Sequence, residues 1–341
     1  PTEAVNLLDD VLDSIVLDLK IPVLAIAGNH DSPSRLQFGS KIMKEKGFYI
    51  VGEYSKDLQP VILSDPYGDV YFHLVPYTDP SIVRRAFNND HIRTHQDAAE
   101  AIVKHIQTSM DPTARHVYVG HAFVTPYGEE AENTSDSERP LSIGGAEYVN
   151  AQMFQDFHYT ALGHLHRAHY VYRENIRYSG SLLKYSMSEA RHEKGFYVVE
   201  LDKDGQASVE KRVITPRRDL KVIEATMDEL LQHPVSEDYV FVKLLDETPV
   251  LSPMEKIRSV YPNAMHVERK RFSMFEALKE DVVKDRGERS DLELFKAFYK
   301  EMKGKDAPLE VEALFKELLE EQLQVEREVM SGEHSKDVVR Q

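Results

Sequence analysis

Three times in the first 166 residues an apolar run ends in glycine and passes at once to side chains able to hold charge. Val23–Ala27 leads into Gly28-Asn29-His30-Asp31. Val117–Val119 leads into Gly120-His121, and Tyr159–Leu162 into Gly163-His164-Leu165-His166. Short apolar runs closed by turn residues read as buried strands. In a layered α/β protein the carboxyl ends of neighbouring strands share one rim of the sheet, so the three clusters converge there. Glycine lets the backbone turn sharply and lie close to a ligand. His164 and His166 are two residues apart, and in extended chain such residues point to the same side.

The remaining pattern agrees with a layered α/β domain. Leu8, Val11, Leu12, Ile15, Val16 and Leu19 recur at helical spacing, which predicts a helix over 6–19. Further helices are predicted over 34–46, closed by Gly47, and over 94–108. Strands are predicted at 61–63 and 70–75 around Asp65-Pro66-Tyr67-Gly68. Others fall at 170–172, 176–179, 196–201 and 207–214, the last two joined by Asp204-Gly205. A polar stretch over 128–140 reads as a surface loop. After Thr215-Pro216-Arg217-Arg218 comes a compact strand–helix–strand–helix–strand alternation to Glu268, the size of a minor domain. From about residue 289 two amphipathic helices follow. Leu292, Phe295, Phe298 and Tyr299 share one face, and Leu309, Leu314, Phe315, Leu318 and Leu319 another.

Composition narrows the chemistry. The 341 residues exceed what one core holds, roughly 250–300. There is no cysteine, so disulfides and thiolate-bound metals are excluded, and a cytoplasmic setting is expected. No apolar run is long enough to span a membrane. The net charge of -16 argues against gripping nucleic acid by bulk charge alone. Lys211, Arg212, Arg217 and Arg218 form a local basic strip that reads equally as a solvated charged loop.

Each cluster alone is weak, but the ordered set, G-N-H-D, then G-H, then G-H-x-H, each after a strand, resembles the calcineurin-like metallophosphoesterases. Within them the sequence most resembles the SbcD nuclease family, through 141–149, through Tyr159–His166 and through Arg177-Tyr178-Ser179-Gly180-Ser181-Leu182-Leu183-Lys184-Tyr185-Ser186. Leu182 departs from the proline common after S-G-S, and Met187 from a common phenylalanine. The likeness implies a sheet sandwich with helices outside over 1–215, a small α/β capping domain over 216–272 and partner-binding C-terminal helices over 286–331. It implies two divalent cations, manganese for the nuclease branch. Asn29, His121 and His164 would hold one, His166 the other, and His30 would contact the phosphate and assist the leaving group. It also implies DNA as substrate in end and hairpin processing, within repair and recombination. The partner would be an SbcC-type ATPase docked on Leu292, Phe295, Phe298, Tyr299, Leu314, Phe315 and Leu318, with a homodimer inside a heterotetramer. The helices at 6–19 and 34–46 resemble those through which the family dimerises.

The family pattern opens with D-x-H on one strand and G-D on the next, and neither precedes Gly28. The expectation is that the sequence begins inside the pattern and lacks the ligands those elements supply. A non-catalytic scaffold and a small-molecule phosphodiesterase of the same fold are the competing readings. His91, His95, His105 and His192 have no motif around them and read as ordinary surface or core residues.

Overall fold

The computed structural model describes residues 2–127, 148–246, 248–269 and 291–319. The loop expected at 128–140, most of the 141–149 motif and the charged stretch at 284–290 lie outside the described residues. Pro1–Arg269 forms one compact unit and Lys270–Gln341 a second.

The first unit is built on a six-stranded sheet of order β3-β4-β5-β8-β10-β9. Its strands are β3 (Val61–Asp65), β4 (Gly68–Val75), β5 (Arg115–His121), β8 (Tyr159–Gly163), β9 (His169–Val171) and β10 (Arg173–Tyr178). β4, β5, β8 and β10 run parallel, while β3 and β9 are antiparallel edges. β1 (Val23–Ile26) pairs in parallel with β2 (Phe48–Val51), and β6 (Phe123–Thr125) with β7 (Tyr148–Asn150). One face of the sheet packs on α4 (Pro80–Phe87) and α5 (His95–Gln107), where Val83, Ile102, Val103, Tyr118, Phe154, Leu162 and Ile176 make a closed core. The opposite face, through Val70, Val117 and Tyr159, meets Val199, Leu201, Ala207 and Val209 of the hairpin β11 (Gly195–Leu201)–β12 (Ala207–Val213). The period-two alternation of β5 sends Val117 and Tyr118 to opposite layers, giving the sheet sandwich with helices outside.

Local chemistry explains the element ends. Thr94 accepts from the Asp97 amide while the Asp97 carboxylate accepts from the Thr94 amide, a capping box that starts α5. Asp79 caps α4 with Pro80 in its first turn. The sequence reading passes over α4 and over β2. The single helix expected at 34–46 is instead two, α2 (Pro33–Gln37) and α3 (Ser40–Lys44), because Gly39 between them takes a left-handed φ of 74°. The first helix, α1 (Thr2–Asp13), continues into a π turn over Ser14–Asp18 and buries none of its own residues.

Within the same unit, β13 (Leu220–Ala225), β14 (Tyr239–Leu244) and β15 (Ala264–Arg269) form a parallel three-stranded sheet. Helices α6 (Met227–Leu230) and α7 (Pro253–Arg258) close it over Leu230, Val240, Val242, Leu244 and Ile257. The order matches the alternation read from the sequence. The basic strip is compensated in its described contacts: Arg212 pairs with Glu210, Lys211 with Glu193 and Arg218 with Glu237.

In the second unit α8 (Asp291–Lys303) ends at Gly304, φ 67°, and a further helix, α9, covers 309–319. The two form a hairpin. Phe295 stacks on Phe315 with ring centres 4.0 Å apart and planes 9° apart, and Lys296–Glu312 and Lys300–Asp306 pair at its edge. Phe298, Leu309, Leu314 and Leu318 stay exposed. The two predicted apolar faces are therefore divided between an inner seam and an outer surface. Among the described residues no helix is long and apolar enough to cross a membrane.

Candidate metal centre

β5 and β8 are neighbours, and their register sets His121 opposite Gly163. That places His164 one residue past His121 across the strand pair, with ring centres 5.4 Å apart. β1 brings Asn29 to the same rim. Its Oδ1 lies 2.9 Å from His121 Nε2. The turn that presents Asn29 and His30 is closed by Asp31, whose carboxylate accepts from the Gly28 amide at 2.7 Å. The His121 ring runs against backbone on two sides. A Cβ on Gly28 would meet its Cε1 at 2.8 Å, and one on Gly163 its Nδ1 at 3.0 Å. The Tyr77 ring stands edge-on to it at 6.2 Å.

His121 is held neutral. Burial, then the neighbouring His30 and His166, push its imidazole down to about 4. A neutral imidazole keeps a lone pair available for a cation. His164 has a φ of 118°, which favours glycine and strains a residue that carries a Cβ. Its ring also packs on Phe123 at 5.7 Å. Tyr178, fully buried in β10, fixes the strand exit beside them. Its hydroxyl donates to the Ala122 carbonyl and accepts from the Val124 amide, both at 2.6 Å.

These donors fit a divalent cation by chemistry: an amide oxygen and imidazole nitrogens, with no sulfur. They supply one side of a coordination sphere. Among the described residues no three His, Cys, Asp or Glu side chains are grouped closely enough to hold an ion by themselves.

The chain is 31% identical over 304 residues to the SbcD component of the SbcCD nuclease of Staphylococcus epidermidis, across 88% of this chain and 78% of that protein. The chain belongs to the SbcD family. Residues 216–303 also match the SbcD_C family, described as the type 5 capsule protein repressor C-terminal domain. That match begins where the small three-stranded sheet begins and reaches the end of α8.

Within this SbcD-family chain, Asn29, His121 and His164 are brought together, and His30 and His166 lie close enough to act electrostatically on His121. His166 contacts the ring of Tyr185 at 5.4 Å, and its Nδ1 lies 2.9 Å from Glu189 Oε1. The residues expected to bind a partner, Leu292 to Leu318, belong to the second unit. Sequence reasoning missed Asp31, Tyr178 and Glu189 as supports of the rim. Asp31 was in view inside its own motif. Tyr178 and Glu189 act across long sequence separations that carry no spacing signal.

Proposed function

We propose that the chain is the DNA-cleaving component of an SbcCD-type complex, a phosphodiesterase dependent on two divalent cations, with manganese the expected metal. The reading is carried by the convergence of Asn29, His121 and His164 on one sheet rim in a chain of the SbcD family. Asn29, His121 and His164 would hold one cation and His166 would serve the other. Bound cations would supply a water acidic enough to attack at neutral pH and would neutralise charge on the phosphate. His121 contributes a neutral nitrogen, kept so by burial. His30, on the turn fixed by Asp31, contacts the phosphate and holds the proton for the departing oxygen. The relative from Staphylococcus epidermidis is named as one component of SbcCD, and on that ground an SbcC-type ATPase is the proposed partner. Its docking surface is the exposed side of the α8–α9 hairpin, Phe298, Leu314 and Leu318. A homodimer within a heterotetramer completes the proposed assembly.

The test is manganese-dependent cleavage of linear duplex and hairpin DNA by a protein that carries the D-x-H and G-D elements of the family pattern ahead of Gly28, and by two variants of it. His164→Ala should lose both manganese binding and cleavage. His30→Ala should bind manganese normally and lose turnover by about 10²–10⁴-fold. Cleavage that persists in chelator, or a His30→Ala variant with ordinary turnover, refutes the respective assignment.

A further inference from the structure

Behind His166 lies the most enclosed charged cluster described in the molecule. Glu189 closes the short 3₁₀ turn Met187–Glu189 and has no exposed surface. Its Oε1 is 2.9 Å from His166 Nδ1, and its Oε2 is 2.6 Å from the Lys194 ammonium. Lys194 is itself buried, and it also donates to the His166 carbonyl and to Ser181 Oγ, each at 2.8 Å. The Tyr185 amide and Ser186 hydroxyl approach the same carboxylate at 3.4 Å. A carboxylate taken wholly out of water is costly unless it is paired and its lone pairs are filled. Here Lys194 and the strap over 181–194 do both. A structure that needed only packing at this place would be served by an apolar residue.

The chemistry of the contact fixes more than position. A carboxylate paired with an ammonium can only accept, so His166 must donate from Nδ1. In the neutral ring the proton is then on the nitrogen facing Glu189, and Nε2 carries the lone pair. A carboxylate that holds the far nitrogen of a histidine is a general means of orienting a metal-binding ring. The strap is anchored at its other side too. The Lys184 ammonium donates to the Ala190 carbonyl at 2.8 Å and pairs with Asp219 at 2.9 Å, at the root of β13.

We propose that Glu189 is a positioning residue for the nuclease centre: clamped by Lys194, it holds His166 as the Nδ1–H tautomer, so that Nε2 is the nitrogen that would bind a cation. The importance of that tautomer for catalysis rests on the proposed function, but the tautomer itself is a property of the metal-free chain and is tested there.

Nitrogen-15 spectra of the histidine rings, recorded without metal in mildly alkaline buffer, report the tautomer directly, with His166→Gln identifying the resonance. The unsubstituted protein should show the Nδ1–H form. Glu189→Ala should move His166 toward the Nε2–H form that a free imidazole favours. Glu189→Gln, which keeps an acceptor oxygen, should restore Nδ1–H. Manganese affinity should fall by about 10–100-fold in Glu189→Ala and by less in Glu189→Gln. A wild-type Nε2–H tautomer, or a Glu189→Ala protein with unchanged tautomer, overturns the proposal. If Glu189→Ala does not fold, the wild-type and Glu189→Gln spectra still decide it. A purely structural clasp would lower the melting temperature of Glu189→Ala and leave tautomer and affinity alone. Absence of manganese-dependent cleavage would refute the nuclease reading without touching the spectra.

Discussion

At Gly28 the backbone lies against the His121 imidazole, and a methyl group there would press on Cε1 at 2.8 Å. The ring is the movable partner, so Gly28→Ala should shift the ring and leave the fold alone. The expected result is a loss of about 10²-fold in kcat/KM with a melting temperature changed by only a few degrees; near-normal cleavage would show that the ring tolerates the shift. A second histidine group sits deeper. His116 Nε2 is 2.8 Å from the Asp111 carbonyl, so it must donate, and His116 Nδ1 then accepts from His73 Nε2 at 3.0 Å. His158 Nδ1 accepts from the His116 amide. Burial, then His116, depresses His73 to about 4 against an ordinary value of 6.5, and burial lowers His158 as well. The folded state therefore binds fewer protons than the unfolded chain between those values. The stabilisation is complete above pH 6.5 and is lost as the pH falls through about 4. For His73 the loss is on the order of 3 kcal/mol. Urea unfolding at stepped pH should show a shallower decline in His73→Gln, whose amide keeps a donor toward His116; equal slopes would exclude His73 as a source.

At the level of elements, the capping box of α5 offers a contrast in which stability and function separate. Thr94→Ala removes one capping bond and should cost about 1 kcal/mol, lowering the melting temperature by roughly 2 °C with cleavage unchanged. The helix over 94–108 was legible from its local pattern, while the box that starts it emerged only in the structure. The Asp204-Gly205 turn and the β13–β15 alternation were legible for the same reason: their signals are local. The three glycine-led clusters were legible because strand, turn and donor are contiguous. The break at Gly39 was not, because a glycine inside a helical pattern is often tolerated and only its φ of 74° shows the split. The clasp of Glu189 and Lys194 on His166 spans 23 and 28 residues, and no periodicity links such positions. The basic strip was legible as cations but not as ion pairs: Glu210 reaches Arg212 along the same strand, while Glu193 and Glu237 reach Lys211 and Arg218 across longer separations.

For the molecule as a whole, the division at Arg269 makes a clean expectation. A chain ending there should fold with a melting temperature within a few degrees of the parent, and it should fail to co-purify with the ATPase. Aggregation of the shortened chain, or undiminished co-purification, would contradict that. Phe298→Glu with Leu314→Glu should have the same effect on co-purification, because both are exposed, whereas the stacked Phe295 and Phe315 hold the hairpin together. The placement of the rim residues also governs when a newly made chain can acquire it. Asn29, His121, His164 and His166 come from three separate strand ends, and the clasp on His166 arrives only with Glu189 and Lys194. A ribosome must therefore release Lys194 before the last histidine is held in place. The nascent protein passes through β1 to β10 with no finished centre, and any cation loaded during synthesis has to wait for the strap.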